Sequence, residues 1–144
     1  MGIGAEENHE LGYYLLITAA EMGNAIAQDN MGSIYFWGQG VLQDYVQAVH
    51  WFRLAAEQGS PMSQNRLGGR YFLGQGVPQD YVQAVFWVSL AAEQGFREAQ
   101  YNLGMCYKNG TGVLQNYEQA IYWFSLAAEQ GFSPATEALR ILGY

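Results

Sequence analysis

Leu67-Gly68-Gly69-Arg70-Tyr71-Phe72-Leu73-Gly74-Gln75-Gly76-Val77-Pro78-Gln79-Asp80, followed by Tyr81-Val82-Gln83-Ala84-Val85-Phe86-Trp87-Val88-Ser89-Leu90-Ala91-Ala92-Glu93-Gln94-Gly95, decides the fold, because it occurs more than once. A step of 36 residues links Gly23, Gly59, Gly95 and Gly131. The same step links Trp51, Trp87 and Trp123, then Tyr35, Tyr71 and Tyr107, then Met31, Leu67 and Leu103. Self-similarity at such a period marks a tandem array of small structural units, a solenoid.

The unit from Ser60 to Gly95 reads as two helices. Ser60 suits an N-cap and Pro61 the first helical position, where no N–H is missed. Ser63, Leu67 and Tyr71 then form one stripe at i, i+4 and i+8. Gly68 is a poor helix former, so its recurrence at Gly32 and Gly104 predicts that a second helix crosses closely there. Gly74 and Gly76 permit positive φ and mark a turn, with Val77, like Val41 and Val113, as its apolar anchor. Asp80 starts the second helix, and Gln83 stands at capping-box spacing; Asp44 with Gln47 and Asn116 with Gln119 repeat the pair. Ala84, Trp87, Val88, Ala91 and Ala92 make a wide apolar face, and Gly95 ends the helix.

These intervals divide one repeat domain spanning 1–144 into a half unit at 8–23, full units at 24–59, 60–95 and 96–131, and a half unit at 132–144. Asn8 stands on the Asp44 register, so Leu11 to Met22 reads as a second helix without its first. Phe132 to Tyr144 reads as a first helix without its second. Ser133-Pro134 resembles Ser60-Pro61 there, and Arg140 replaces the packing glycine, which predicts a solvent-facing last helix. Open stacks need such atypical ends. Leu11, Leu15 and Leu16 face whatever lies upstream, so end-to-end self-association is expected as a possibility of the stack.

Composition narrows the function. The 144 residues are half apolar, enough for one domain with a continuous core. Net charge is −7, from 13 acidic and 6 basic side chains, and Lys108 is the single lysine. Such a surface repels a phosphate backbone, which argues against nucleic acid. Cys106 stands alone, so no internal disulfide forms. No apolar run reaches membrane length, and residues 1–10 lack a secretion-signal pattern. The start also lacks Ser or Thr at position six, which weakens a myristoylation reading. A cytoplasmic protein and a piece of an exported one fit alike.

Catalytic and cofactor readings find little support. Trp51, Trp87 and Trp123 share one register, which core packing explains. His50 aligns with Phe86 and Tyr122 on an outer face, and His9 is expected in the first turn of the leading helix. No Cys-His, Ser-His-Asp or metal-ligand spacing links them. Cys106 aligns with Ile34 and Arg70, a position expected near the surface or edge. Trp37 aligns with Leu73 and Asn109; it is expected either to stand exposed and interactive or, the preferred reading, to cover the neighbouring loop. Glu57, Glu93 and Glu129 oppose a helix dipole, which predicts a partner such as a backbone N–H. The paired loop glycines are not followed by Lys-Ser or Lys-Thr, so no phosphate loop is read. No cofactor and no metal is expected. Titratable groups are dispersed by the repeat, so an enzyme is the least favoured class.

The pattern Leu67-Gly68-x-x-Tyr71-x-x-Gly74-x-Gly76-Val77-x-x-Asp80-x-x-x-Ala84-x-x-Trp87-x-x-x-Ala91-Ala92-Glu93-x-Gly95 resembles the Sel-1-like repeat, a relative of tetratricopeptide repeats. It covers residues 24 to 131, with Met31 for Leu, Asn116 for Asp and Val88 for an aromatic as departures. The resemblance implies an all-α, right-handed solenoid of antiparallel helix pairs with about eight helices, acting as an adaptor or scaffold. Some bacterial members are exported and cysteine-rich, a branch that one cysteine does not support. Many carry more units.

In the tetratricopeptide relatives the ligand-facing positions lie on the concave side of the first helices. Carried over, they are Asp29, Asn65 and Tyr101, then Ser33, Gly69 and Met105, then Phe36, Phe72 and Lys108, with Asn30, Arg66 and Asn102 beside them. Most differ between units, as reading positions can and packing positions cannot. The apolar members offer anchors; the amides, Arg66 and Lys108 can bond a backbone or carboxylate. The expected function is non-catalytic binding of a peptide or protein surface, without membrane insertion. The alternative is a structural spacer in a larger secreted or envelope protein.

Overall fold

The computed structural model describes residues 3–144. Its helices are α1 (Ile3–Glu21), α2 (Ala25–Trp37), α3 (Tyr45–Glu57), α4 (Pro61–Leu73), α5 (Tyr81–Glu93), α6 (Arg97–Asn109), α7 (Tyr117–Glu129) and α8 (Ser133–Ile141). No strand occurs among the described residues. Contacts run mainly between neighbours in sequence, heaviest within the pairs α2–α3, α4–α5 and α6–α7. The result is the expected all-α solenoid of antiparallel helix pairs.

Local chemistry sets the helix limits. Asp44, Asp80 and Asn116 each accept a bond from the backbone N–H three residues on, at 3.0 Å. The capping box is only half formed. The N–H of each capping residue donates instead to the carbonyl of Tyr35, Tyr71 or Tyr107, all at 2.9 Å. That bond ties the start of a second helix to the end of its first. Gln43, Gln79 and Gln115 brace the same loop by donating to Phe36, Phe72 and Lys108 carbonyls at 2.8, 2.9 and 2.9 Å.

Helix crossing explains the recurring glycines. A Cβ on Gly32 would lie 2.5 Å from Phe52 Cδ1, and one on Gly104 2.6 Å from Phe124 Cδ1. A Cβ on Gly68 would lie 2.6 Å from Val88 Cγ2 and 3.0 Å from the Ala84 carbonyl. Trp87 is buried against Ala48, Val49, Phe52 and Ala56 of the preceding unit, so it fastens unit to unit. The outer residues His50, Phe86 and Tyr122 lie edge-on to their Trp neighbours at 5.2, 5.1 and 5.1 Å.

A second fastening is polar. Gln58, Gln94 and Gln130 donate to Gln28, Gln64 and Gln100 Oε1 at 2.7, 2.8 and 2.9 Å. The latter three are buried and donate onward to carbonyls of Ala20, Ala56 and Ala92 at 3.1, 3.2 and 3.3 Å. Each buried amide thus finds partners on both sides, as burial of polar groups demands.

Several expectations need correction. α1 begins at Ile3, so Asn8 is interior and His9 lies well beyond the first turn. The helix continues through Asn8 without a break. Phe132, not Ser133, is the N-cap of α8, and it makes no side-chain cap bond. Ser133-Pro134 is one residue late on the 36-residue register. Glu57, Glu93 and Glu129 are exposed and have no hydrogen-bond partner among the described residues. Trp37 is 67% exposed, with its ring 4.7 Å from Phe36, rather than covering a loop. Cys106 is buried in the core between α5 and α6, not near the surface. Arg140 does meet solvent, paired with Glu137 at 2.6 Å.

Candidate functional site

The first helices α2, α4 and α6 carry all twelve residues singled out from the sequence, and these sort into unlike groups. Asp29, Ser33 and Arg66 form one cluster. Asp29 is buried and accepts from Ser63 Oγ at 2.7 Å and from the Arg66 guanidinium. Arg66 also donates to Ser33 Oγ at 2.7 Å. This cluster joins the first two full units, and it occupies Asp29 internally rather than leaving it free to read a ligand. Asn102 donates to Asn65 Oδ1 at 3.0 Å, the same unit-to-unit link one repeat later.

The aromatic members differ in freedom. Tyr101 is wedged between Phe124 and Phe132, with centroids at 5.7 and 5.5 Å, so it serves the core between α6, α7 and α8. Phe36 stacks beneath Arg70, whose guanidinium carbon lies 4.1 Å from the ring centroid. Phe72 is exposed and leans on Tyr81 at 5.2 Å. Gly69 is open, since a Cβ there would meet nothing within 4 Å. Asn30 is exposed, and Asn30 and Lys108 join neither cluster.

Two clefts open on this face. One, of about 200 Å³, lies between α2 and α4 and is lined by Ser33, Phe36, Trp37, Phe52, Arg66 and Arg70. The other, of about 170 Å³, lies between α4 and α6 and is lined by Gly69, Phe72, Val88, Asn102, Met105 and Cys106. Sequence reading missed Arg70 and Cys106 as cleft residues. Their alignment with each other was visible, but not that both turn inward. Burial pushes the Cys106 thiol up to about 11, so it is no nucleophile at neutral pH. Burial, opposed by Tyr45 and reinforced by Arg66, lowers Arg70 from the ordinary arginine value.

A larger hollow of about 880 Å³ lies beside α1, bounded by Tyr13, Leu16, Ile34 and Val41. Among the described residues, no group of three His, Cys, Asp or Glu side chains could hold a metal ion. No described helix is long and apolar enough to cross a membrane.

Stacked antiparallel helix pairs, with repeated residues consumed between units, define a helical-repeat solenoid. The Sel1 repeat matches at residues 1–24, 25–60, 61–96 and 97–132, and the chain belongs to the Sel1 repeat family. None of the curated proteins compared matches it. Among solved structures, c5321, a protective antigen of uropathogenic Escherichia coli strains with an SLR fold, is 43% identical with TM-score 0.85. That match covers 86% of this chain and 27% of the other, so this chain spans about a quarter of that protein's length. A Sel1 repeat protein from Oxalobacter formigenes is 38% identical with TM-score 0.80, over 87% of this chain and 94% of the other. Helicobacter pylori cysteine rich protein B shares the fold at 19% identity and TM-score 0.71, over 96% and 99% of the two chains. Sel1 repeats form a scaffold fold that generally mediates protein–protein interaction.

Proposed function

We propose that the chain is a non-catalytic binding module whose groove, along α2, α4 and α6, takes a segment of a protein partner. One observation carries this reading. The face of the first helices opens into two clefts lined by residues that differ between units, while the core repeats with little change. A spacer has no reason to keep such unlike, accessible side chains at equivalent places. The clefts are also too small for a whole small-molecule ligand, whose sites hold about 300–1,000 Å³. Each suits one side chain of an extended peptide.

Gly69→Trp tests the groove. Its backbone is helical and its Cβ would enter open space, so the fold tolerates the change. An indole there obstructs the cleft between α4 and α6. The variant should lose capture of protein partners from the source cell while its circular-dichroism melt falls no lower than that of the parent chain. Capture that survives with the cleft blocked would refute the assignment. Tyr101 is unsuitable for this test, because its loss opens the core.

A further inference from the structure

Alternating helix direction gives the stack two long edges of opposite character. The second helices end at one of them, and there Glu21, Glu57, Glu93 and Glu129 stand exposed. At the other edge each first helix turns into its second. Asp44, Asp80 and Glu118 are the only charged residues in 37–46, 73–82 and 109–118, and the two aspartates are occupied as helix caps. One edge is a row of carboxylates; the other is close to uncharged.

The uncharged edge is also apolar, beyond what the turns require. Val77 and Val113 anchor their loops inward, but the next residue points away. Leu42 and Leu114 are 91% and 90% exposed, and Pro78 is exposed between them. Proline in place of leucine leaves the turn unaltered, since Gly40, Gly76 and Gly112 hold φ of 73, 76 and 71°. Trp37 and Leu73 end their first helices exposed, and Val46 and Val82 are exposed in the first turn of the second helices. The loop at Gly76 rests on the backbone of Tyr45 and Val46, and the loop at Gly112 on that of Tyr81, so the row is continuous from unit to unit. At roughly 100 Å² of open surface each, these seven side chains present about 700 Å². The largest apolar patch on a monomer is typically about 300–600 Å², and each partner in a standard interface contributes about 800 Å².

We propose that this loop edge is the interface of a two-fold dimer of the chain. Two copies of net charge −7 repel, so they meet at lowest cost where neither carries an unspent charge. An anionic lipid surface finds no Lys or Arg in these three segments to hold it. The row also matches itself about a two-fold axis at Pro78. Leu42 of one protomer then meets Leu114 of its partner, and Leu114 meets Leu42, as an isologous contact requires. The carboxylate rows face outward on both sides. Dimer formation does not depend on the groove reading above.

Size exclusion with light scattering on the full chain, from about 1 to about 100 μM, tests the dimer. A mass of twice 16.1 kDa is expected at the upper end. Leu42→Asp combined with Leu114→Asp should weaken association at least about tenfold, with the circular-dichroism spectrum unchanged because both positions are open. Thiol cross-linking reads the symmetry. In a Cys106→Ala background, a mixture of Leu42→Cys and Leu114→Cys chains should form disulfide-linked dimers. Leu42→Cys chains alone should form few, because the axis holds those sites two units, about 20 Å, apart, beyond disulfide reach. A monomer throughout overturns the proposal, whether phosphatidylcholine vesicles or a different protein then prove to be what Leu42 and Leu114 hold. A dimer that survives Leu42→Asp with Leu114→Asp, but is lost with Leu11→Asp and Leu15→Asp on α1, overturns it in favour of end-to-end association. Cross-linking as strong with Leu42→Cys chains alone as with the mixture overturns it as well.

Discussion

Gly40, Gly76 and Gly112 are indistinguishable in the sequence, yet the stack should make them unequal. All three hold positive φ, at 73, 76 and 71°. Alanine at any of them therefore strains the backbone by about 1–2 kcal/mol. A Cβ on Gly40 meets nothing within 4 Å among the described residues. A Cβ on Gly76 falls on the Tyr45 carbonyl, with Val46 N at 3.0 Å, and one on Gly112 falls on the Tyr81 carbonyl. Those atoms are backbone at the start of the preceding unit's second helix, so no rotamer change relieves the clash. Pushing two units apart adds about 1–3 kcal/mol. Gly40→Ala should then cost about 1–2 kcal/mol, and Gly76→Ala about 2–5 kcal/mol. Urea unfolding followed by circular dichroism gives the comparison, with fluorescence of the Trp residues as a second probe of cooperativity. Equal losses at positions 40 and 76 would refute the claim that loop glycines are required by the neighbouring unit and not by the turn alone.

Adjacent glycines in α4 should respond with opposite sign: Gly68→Ala destabilises by about 1–3 kcal/mol through Val88 and the Ala84 carbonyl, whereas Gly69→Ala stabilises by about 0.5–1 kcal/mol in the same thermal melt. Asp29→Ala removes the carboxylate that accepts from the buried Ser63 hydroxyl and from Arg66, leaving Arg66 only Ser33, and should cost about 1–3 kcal/mol, while exposed Asn30→Ala should stay within about 0.5 kcal/mol of wild type in urea. Cys106 titrates at about 11 when folded against an ordinary 9.0, so the native state holds the proton more tightly. Unfolding free energy should therefore fall as pH rises from the unfolded value toward the folded one, and Cys106→Ala should lack that part of the decline. Alkylation of the native thiol at pH 8 should run on the order of 100-fold slower than that of the urea-unfolded chain.

Helix limits were readable because they depend on neighbours in the chain. Asp44, Asp80 and Asn116 cap the next turn, and Gly38, Gly74 and Gly110 close the preceding one. Gly68 could be read as a crossing point because a helix breaker recurring inside a helix requires an external reason. Cys106 and Trp37 could not be placed. Their side chains differ from those at the same register in other units, so recurrence says nothing of burial. The same holds for Asp29, which looks like a surface reader until Ser63 and Arg66 arrive from the next unit.

Periodicity alone therefore determined the architecture, since residues that recur must pack between identical neighbours. Only the assembled stack decided which variable side chains bond each other and which are left over. Asp29 meets Ser63 and Arg66 across 34 and 37 residues of chain, and no local pattern encodes such a meeting. Val88 standing where Phe52 stands, and Cys106 where Arg70 stands, are likewise differences between neighbouring units. They acquire meaning only once the two units are side by side.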